Sequence, residues 1–278
     1  MQPSPPLPAD SAAAPPSRFV ALGASNLTRF ALPLLDAARC AANGRVEAHF
    51  ALGFGRSYGM PSRVLWRGRS GIDRARLWPA LAAAPRRAPA PAPAPAQAST
   101  ALVMDVGNDL LYGVPVPRVL EVVDVVLQRL ADIAERRIVA GIALGPARRV
   151  SEPYWWLIRN VLVPNCPLTR LQAIAGAERL HEGLRELAAR RGAQFVEPRD
   201  EWYGTDPVHF RARHFAAVAR TLLALPPTAV APEPHCANWR GRVRYRFAQP
   251  FERTVFGRRR SAPQPALHCA DGSTLSLW

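Results

Sequence analysis

Three short stretches of the chain carry residue types that could act together as a nucleophilic centre. The first is Gly23-Ala24-Ser25-Asn26-Leu27-Thr28, where an apolar run passes into a helix-like pattern. A serine at such a strand-to-helix turn lies where free backbone N–H groups and the helix dipole favour negative charge. A serine nucleophile needs that setting, because attack creates an oxyanion that must meet donors already in place. Taken alone, Ser25 or Asn26 is equally an ordinary helix N-cap. The second stretch is Val106-Gly107-Asn108-Asp109. The Asn108 amide can donate to an oxyanion, which a carboxylate cannot, although asparagine at a strand end is also a common turn former. The third is Glu201-Trp202-Tyr203-Gly204-Thr205-Asp206-Pro207-Val208-His209. An aspartate three residues before a histidine can reach ring Nδ1, leaving the other ring nitrogen to take a proton from a serine. The bland alternative makes Asp206 a helix cap and His209 a surface residue.

Such residues need elements that bring them to one edge. Five apolar runs read as buried parallel strands: Phe19–Gly23, Val46–Leu52, Ala101–Val106, Ile138–Leu144 and Gln194–Glu197. Between them Leu120, Val123, Leu127 and Leu130, and again Leu180, Leu184 and Leu187, recur at helical spacing, and a last helix is expected over Arg211–Leu225. Strands alternating with helices predict an α/β fold, a three-layer α/β/α sandwich around a five-stranded parallel sheet. Ligands of such sheets sit at the carboxyl ends of the strands, where all three stretches fall.

Gly23-Ala24-Ser25-Asn26, the glycine-rich stretch after the second strand, Gly107-Asn108-Asp109 and Asp206-Pro207-Val208-His209 occur in order along the chain, and together they resemble the four blocks of the SGNH (GDSL) hydrolases. The resemblance spans roughly residues 17–225 and implies that family's flavodoxin-like sandwich. It implies Ser25 as nucleophile, His209 as general base and acid, and Asp206 as the group orienting the imidazole. The implied oxyanion hole combines the Ser25 N–H, the Asn108 side chain and one glycine of Gly53-Phe54-Gly55-Arg56-Ser57-Tyr58-Gly59, with Gly59 preferred and Gly55 next. One departure stands out. The family's Gly-Asp-Ser reads Gly23-Ala24-Ser25 here, so the turn around Ser25 must be supported in another way, as in a divergent bacterial branch.

Arg56, Tyr58, Trp202 and Tyr203 leave strands at the same edge and are expected to line a substrate pocket. Tyr154-Trp155-Trp156 follows the fourth strand, where large side chains serve the core as readily as a pocket. Asp105 and Asp109 lack a third ligand at useful spacing, so no metal is expected, and no cofactor. The expected partner is a small-molecule ester; the motifs select neither its acyl nor its alcohol group, and the oligomeric state is left open.

Composition sharpens the remaining choices. The 278 residues carry a net charge of +15, and all 36 of the Lys+Arg cations are arginine. Eight arginines and one glutamate fall between Trp239 and Arg260. There Arg240, Arg242, Arg244 and Arg246 alternate with Gly241, Val243, Tyr245 and Phe247, predicting a strand with one charged face. That tail motivates a second reading, a polyanion- or nucleic-acid-binding surface, set against a solvated strand face. The region 226–278 is expected as a small β-rich appendage, with a hairpin turning at Asp271-Gly272. Residues 1–16 are expected to be disordered, and the Ala-Pro tract 85–98 a surface loop. Four cysteines without Cys-x-x-Cys spacing argue against zinc or a disulfide framework, and no run is apolar enough to span a membrane. A cytoplasmic location is the expectation.

Overall fold

The computed structural model describes residues 15–64, 66–83, 99–163, 166–204 and 206–278. The expected disordered N-terminus and Ala-Pro loop therefore lie almost wholly outside the described residues. In chain order the elements are β1 (Ser17–Leu22), α1 (Ser25–Ala41), β2 (Val46–Ala51), β3 (Ser62–Val64), β4 (Arg67–Arg69), α2 (Leu77–Ala83), β5 (Thr100–Val103), α3 (Asn108–Leu111), α4 (Val116–Ala131) and β6 (Arg136–Ala140). They continue with α5 (Leu144–Arg148), α6 (Glu152–Leu157), α7 (Arg170–Arg190), β7 (Gln194–Val196), α8 (Phe215–Leu222), α9 (Trp239–Phe247), β8 (Glu252–Val255), β9 (Arg258–Ser261), β10 (Leu267–His268) and β11 (Thr274–Leu277).

The main sheet has the order β10-β11-β2-β1-β5-β6-β7. Its five central and right-hand strands, β2, β1, β5, β6 and β7, are the five apolar runs and pair in parallel throughout. Successive side chains of a strand point to opposite faces, so β1 feeds two cores. Phe19 and Ala21 pack with α1 and α8, while Val20 and Leu22 pack with α4 and α7. The leucines and valines read at helical spacing supply the inner face of α4 (Val123, Leu127, Leu130) and α7 (Leu180, Leu184, Leu187). A reciprocal capping box starts α7, with Thr169 and Gln172 satisfying each other's backbone N–H.

The C-terminal region departs from expectation in two ways. The hairpin at Asp271-Gly272 forms, with Gly272 at φ +85°, but its second strand does not stay apart. β11 lies parallel to β2, from Thr274 opposite Glu47 to Leu277 opposite Phe50, and extends the sheet to seven strands. β8 and β9 join β3 and β4, from the loop after β2, in a second, antiparallel sheet. The tail is also fastened to α1. Arg39, fully buried, donates to Asp36 (3.0 Å), Asp271 (2.8 Å) and the Pro234 carbonyl (3.0 Å), while Asp36 accepts the Cys236 and Ala237 N–H groups.

The second departure corrects the expected strand at Arg240–Arg246, which is helix α9. Asn238 caps it by accepting the Gly241 N–H at 2.8 Å. Tyr245 packs towards α1, its hydroxyl donating to the Thr28 carbonyl at 3.0 Å. With a helix rather than a sheet edge beside it, this segment satisfies its backbone internally. Arginines at every second position then fan around the helix, and the single charged face disappears.

Candidate active site

Ser25 is the first residue of α1, and Gly23 ends the connection from β1. A Cβ on Gly23 would meet Leu27 Cβ and Met104 Cγ at 2.9 Å, so only glycine lets the chain turn this closely. Ser25 is buried, and its N–H is one of the free donors at the start of a helix. From the other end of the chain, the loop before α8 brings His209 to it: Ser25 Oγ lies 3.0 Å from His209 Nε2. On the far side of the ring, Nδ1 lies 2.7 Å from Asp206 Oδ2. The second Asp206 oxygen accepts the Val208 N–H at 2.9 Å and the His209 N–H at 3.3 Å. Partial burial works to raise the Asp206 pKa, but the hydrogen bonds from the His209 ring and these two backbone groups outweigh it, and the carboxyl is held below the usual aspartate range.

The support missing from the Gly-Ala-Ser turn comes from Asp105, a residue whose type and spacing suggest no more than a metal ligand. Its Oδ2 accepts the backbone N–H groups of Ala24 (2.8 Å) and Leu27 (3.1 Å), and its Oδ1 accepts from Asn26 Nδ2 (2.9 Å). To aim its carboxylate there Asp105 adopts φ +59°, a left-handed conformation that aspartate tolerates better than most residues. Asn26 passes the connection on. Its Nδ2 donates to the Val208 carbonyl at 3.0 Å, and its Oδ1 accepts the Phe210 N–H at 2.9 Å. One buried amide thus ties the serine turn to the segment carrying His209.

Asn108 opens α3, and its Nδ2 donates to the Arg56 carbonyl at 3.1 Å. Asp109 organises the loop after β2, accepting from the Ser57 hydroxyl, the Tyr58 N–H (2.8 Å) and the Gly59 N–H (3.1 Å). Burial pushes the Asp109 pKa up, with these donors opposing it. This corrects the preference for Gly59 in an oxyanion hole, because its N–H already serves Asp109. Gly55 sits at φ +63°, with its carbonyl accepting from the Tyr112 hydroxyl.

Two expected pocket residues are also corrected. Arg56 and Tyr58 are fully buried inside the loop. The Arg56 guanidinium donates to the backbone oxygens of Leu52 (3.2 Å), Ser70 (3.3 Å) and Trp278. The Tyr58 hydroxyl lies 2.9 and 2.8 Å from the Leu22 and Met104 carbonyl oxygens. A long polar side chain in a sheet-edge loop can satisfy exposed strand-end carbonyls, and both do so here.

Trp202 and Tyr203 do reach a cavity that opens on Ser25, with a volume of about 180 Å³. They pack edge-on or tilted against Phe210, at 5.9 and 5.1 Å between ring centroids. Trp155 joins the wall, whereas Trp156 is 64% exposed. Among the described residues no group of three or more His, Cys, Asp or Glu side chains is placed to hold a metal ion. No helix among them is long and apolar enough to cross a membrane.

No protein-family profile matches the chain, and no curated protein matches it by sequence. Among solved structures it is similar to the psychrotrophic esterase EstA from Pseudoalteromonas sp., inhibited by monoethylphosphonate, at 13% identity and a TM-score of 0.45, over 75% of this chain and 94% of that one. It is similar at the same TM-score to a candidate platelet activating factor from Streptococcus pneumonia, at 14% identity over 76% of this chain and 85% of that one.

Proposed function

We propose that the protein is a serine hydrolase that cleaves a carboxylic ester through an acyl-enzyme intermediate. The observation carrying this reading is the hydrogen-bonded chain Ser25–His209–Asp206, 3.0 and 2.7 Å long, at the mouth of an apolar cavity. His209 Nε2 takes the Ser25 hydroxyl proton as Oγ bonds to the ester carbonyl carbon. The Ser25 N–H, the Asn108 amide and the Gly55 N–H meet the charge on the carbonyl oxygen. The imidazolium, steadied by Asp206, passes its proton to the departing alkoxide, and the C–O bond to the alcohol breaks. Water then gives a proton to His209 as its oxygen bonds to the acyl carbon; the bond from that carbon to Ser25 Oγ breaks, His209 returns the proton to Oγ, and the carboxylic acid is released.

Polyanion binding through the 239–260 tail is the weaker reading: Tyr245, one of its interleaved aromatics, is packed towards α1 with its hydroxyl on the Thr28 carbonyl, and the arginines of α9 spread around a helix. Four free thiols suit a reducing compartment, and the cytoplasm is the location we propose on that basis. The function is tested by turnover of chromogenic esters. Wild type should hydrolyse them well above background, and Ser25→Ala should not; equal turnover by both proteins refutes the proposal.

A further inference from the structure

The cavity beside Ser25 is walled mostly by carbon. Of its lining residues only Asp105 and Arg170 carry charge. Asp105 is engaged by the serine turn, and Arg170 pairs with Glu152 at 2.6 Å and reaches the Val150 carbonyl. Both charges are thus already matched to groups of the protein itself. Small residues make the room: Gly141 and Ala143 after β6, and Ala173 and Ala177 on α7, with Trp155, which clusters with Ala173, as a large wall. α7 precedes the parallel strand β7 and so runs down from the catalytic edge. Ala177 therefore lies one helical turn deeper than Ala173.

Building on the serine-hydrolase reading, we infer that this cavity is the acyl site and that the substrate is an ester of an uncharged carboxylic acid of about four to eight carbons. The length follows from volume: an apolar cavity of ~150 Å³ accepts a benzene-sized guest, and this one measures about 180 Å³. The assignment to the acyl side follows from the order of events. The acyl group stays bound through both steps, so an apolar recess beside Ser25 suits it. The alcohol leaves after the first step, protonated from the His209 side, and must reach solvent before water can take its place. Ala173 and Ala177 set the depth of the recess, and Trp155 sets its width.

The experiment is a kcat/KM profile on p-nitrophenyl esters from acetate to dodecanoate, for wild type, Ala177→Leu and Trp155→Ala. Folding of each is checked by thermal melting, and Ser25 labelling by a fluorophosphonate is followed in parallel. Wild type should rise roughly fourfold per added methylene from acetate to an optimum near hexanoate, as each group leaves water. Ala177→Leu should move the optimum to shorter chains and Trp155→Ala to longer ones. A labelled wild type with a flat profile or an acetate optimum overturns the acyl site and leaves the hydrolase reading standing, as does an unshifted optimum in both folded variants. A folded wild type that takes no label at Ser25 overturns the hydrolase reading, and the acyl site with it.

Discussion

Asp105 accepts the backbone N–H of Ala24 at 2.8 Å, holding the residue before the proposed nucleophile against the end of β5. Three donors converge on this carboxylate, and hydrogen bonds to charged acceptors are the strong ones. Asp105→Ala should lower stability by about 3 kcal/mol in chemical denaturation and cut kcat at least tenfold. Asp105→Asn should recover part of both, since asparagine tolerates φ +59° and keeps one acceptor oxygen. Full activity in a folded Asp105→Ala protein would show that the turn holds itself.

Asn26 bridges Asp105 to the Val208 carbonyl and the Phe210 N–H. Asn26→Ala takes one donor from Asp105 and removes the partner of the Val208 carbonyl and the Phe210 N–H, and should cost about 2 kcal/mol. Because the His209 segment is then untied from the serine turn, kcat should fall further than KM changes. A variant that loses stability but keeps wild-type kcat would limit Asn26 to a structural role.

Asp206 is held below its ordinary pKa when folded, so it favours the folded state above the unfolded carboxyl value of about 3.9 and loses that contribution as pH falls through its lower folded value. Denaturation curves below about pH 4 should therefore fall more steeply for wild type than for Asp206→Asn. At neutral pH the same variant should lose roughly four orders of magnitude in kcat, because an amide no longer selects the imidazole tautomer. Superimposable acid limbs would contradict the Asp206–His209 bond.

Asn108 is proposed to meet the charge that develops on the carbonyl oxygen. Asn108→Ala should lower kcat about 10²- to 10³-fold with KM little changed. A loss confined to KM would place the amide in ground-state binding instead.

Much of the site was readable because its chemistry is local. Asp206 and His209 are three residues apart, and Ser25 and Asn108 follow apolar runs that pair as parallel strands. The unread parts depend on contacts that no local pattern carries. Asp105 reaches Ala24 and Asn26 across about 80 residues of chain, and nothing around it marks a carboxylate turned inward at positive φ. Arg56 and Tyr58 look like pocket residues by type, yet strand-end carbonyls claim their polar ends. α9 alternates like a strand, but its neighbour in space is α1, to which Tyr245 is bonded. The pairing of β11 with β2 joins residues more than 220 positions apart.

Mass-spectrometric mapping of fluorophosphonate attachment is the most direct test of the proposed triad. A single adduct on Ser25 is expected in wild type, with labelling slowed by orders of magnitude in His209→Ala and absent in Ser25→Ala. An adduct at another residue, or a folded wild type that takes none, would contradict the assignment of Ser25 as nucleophile.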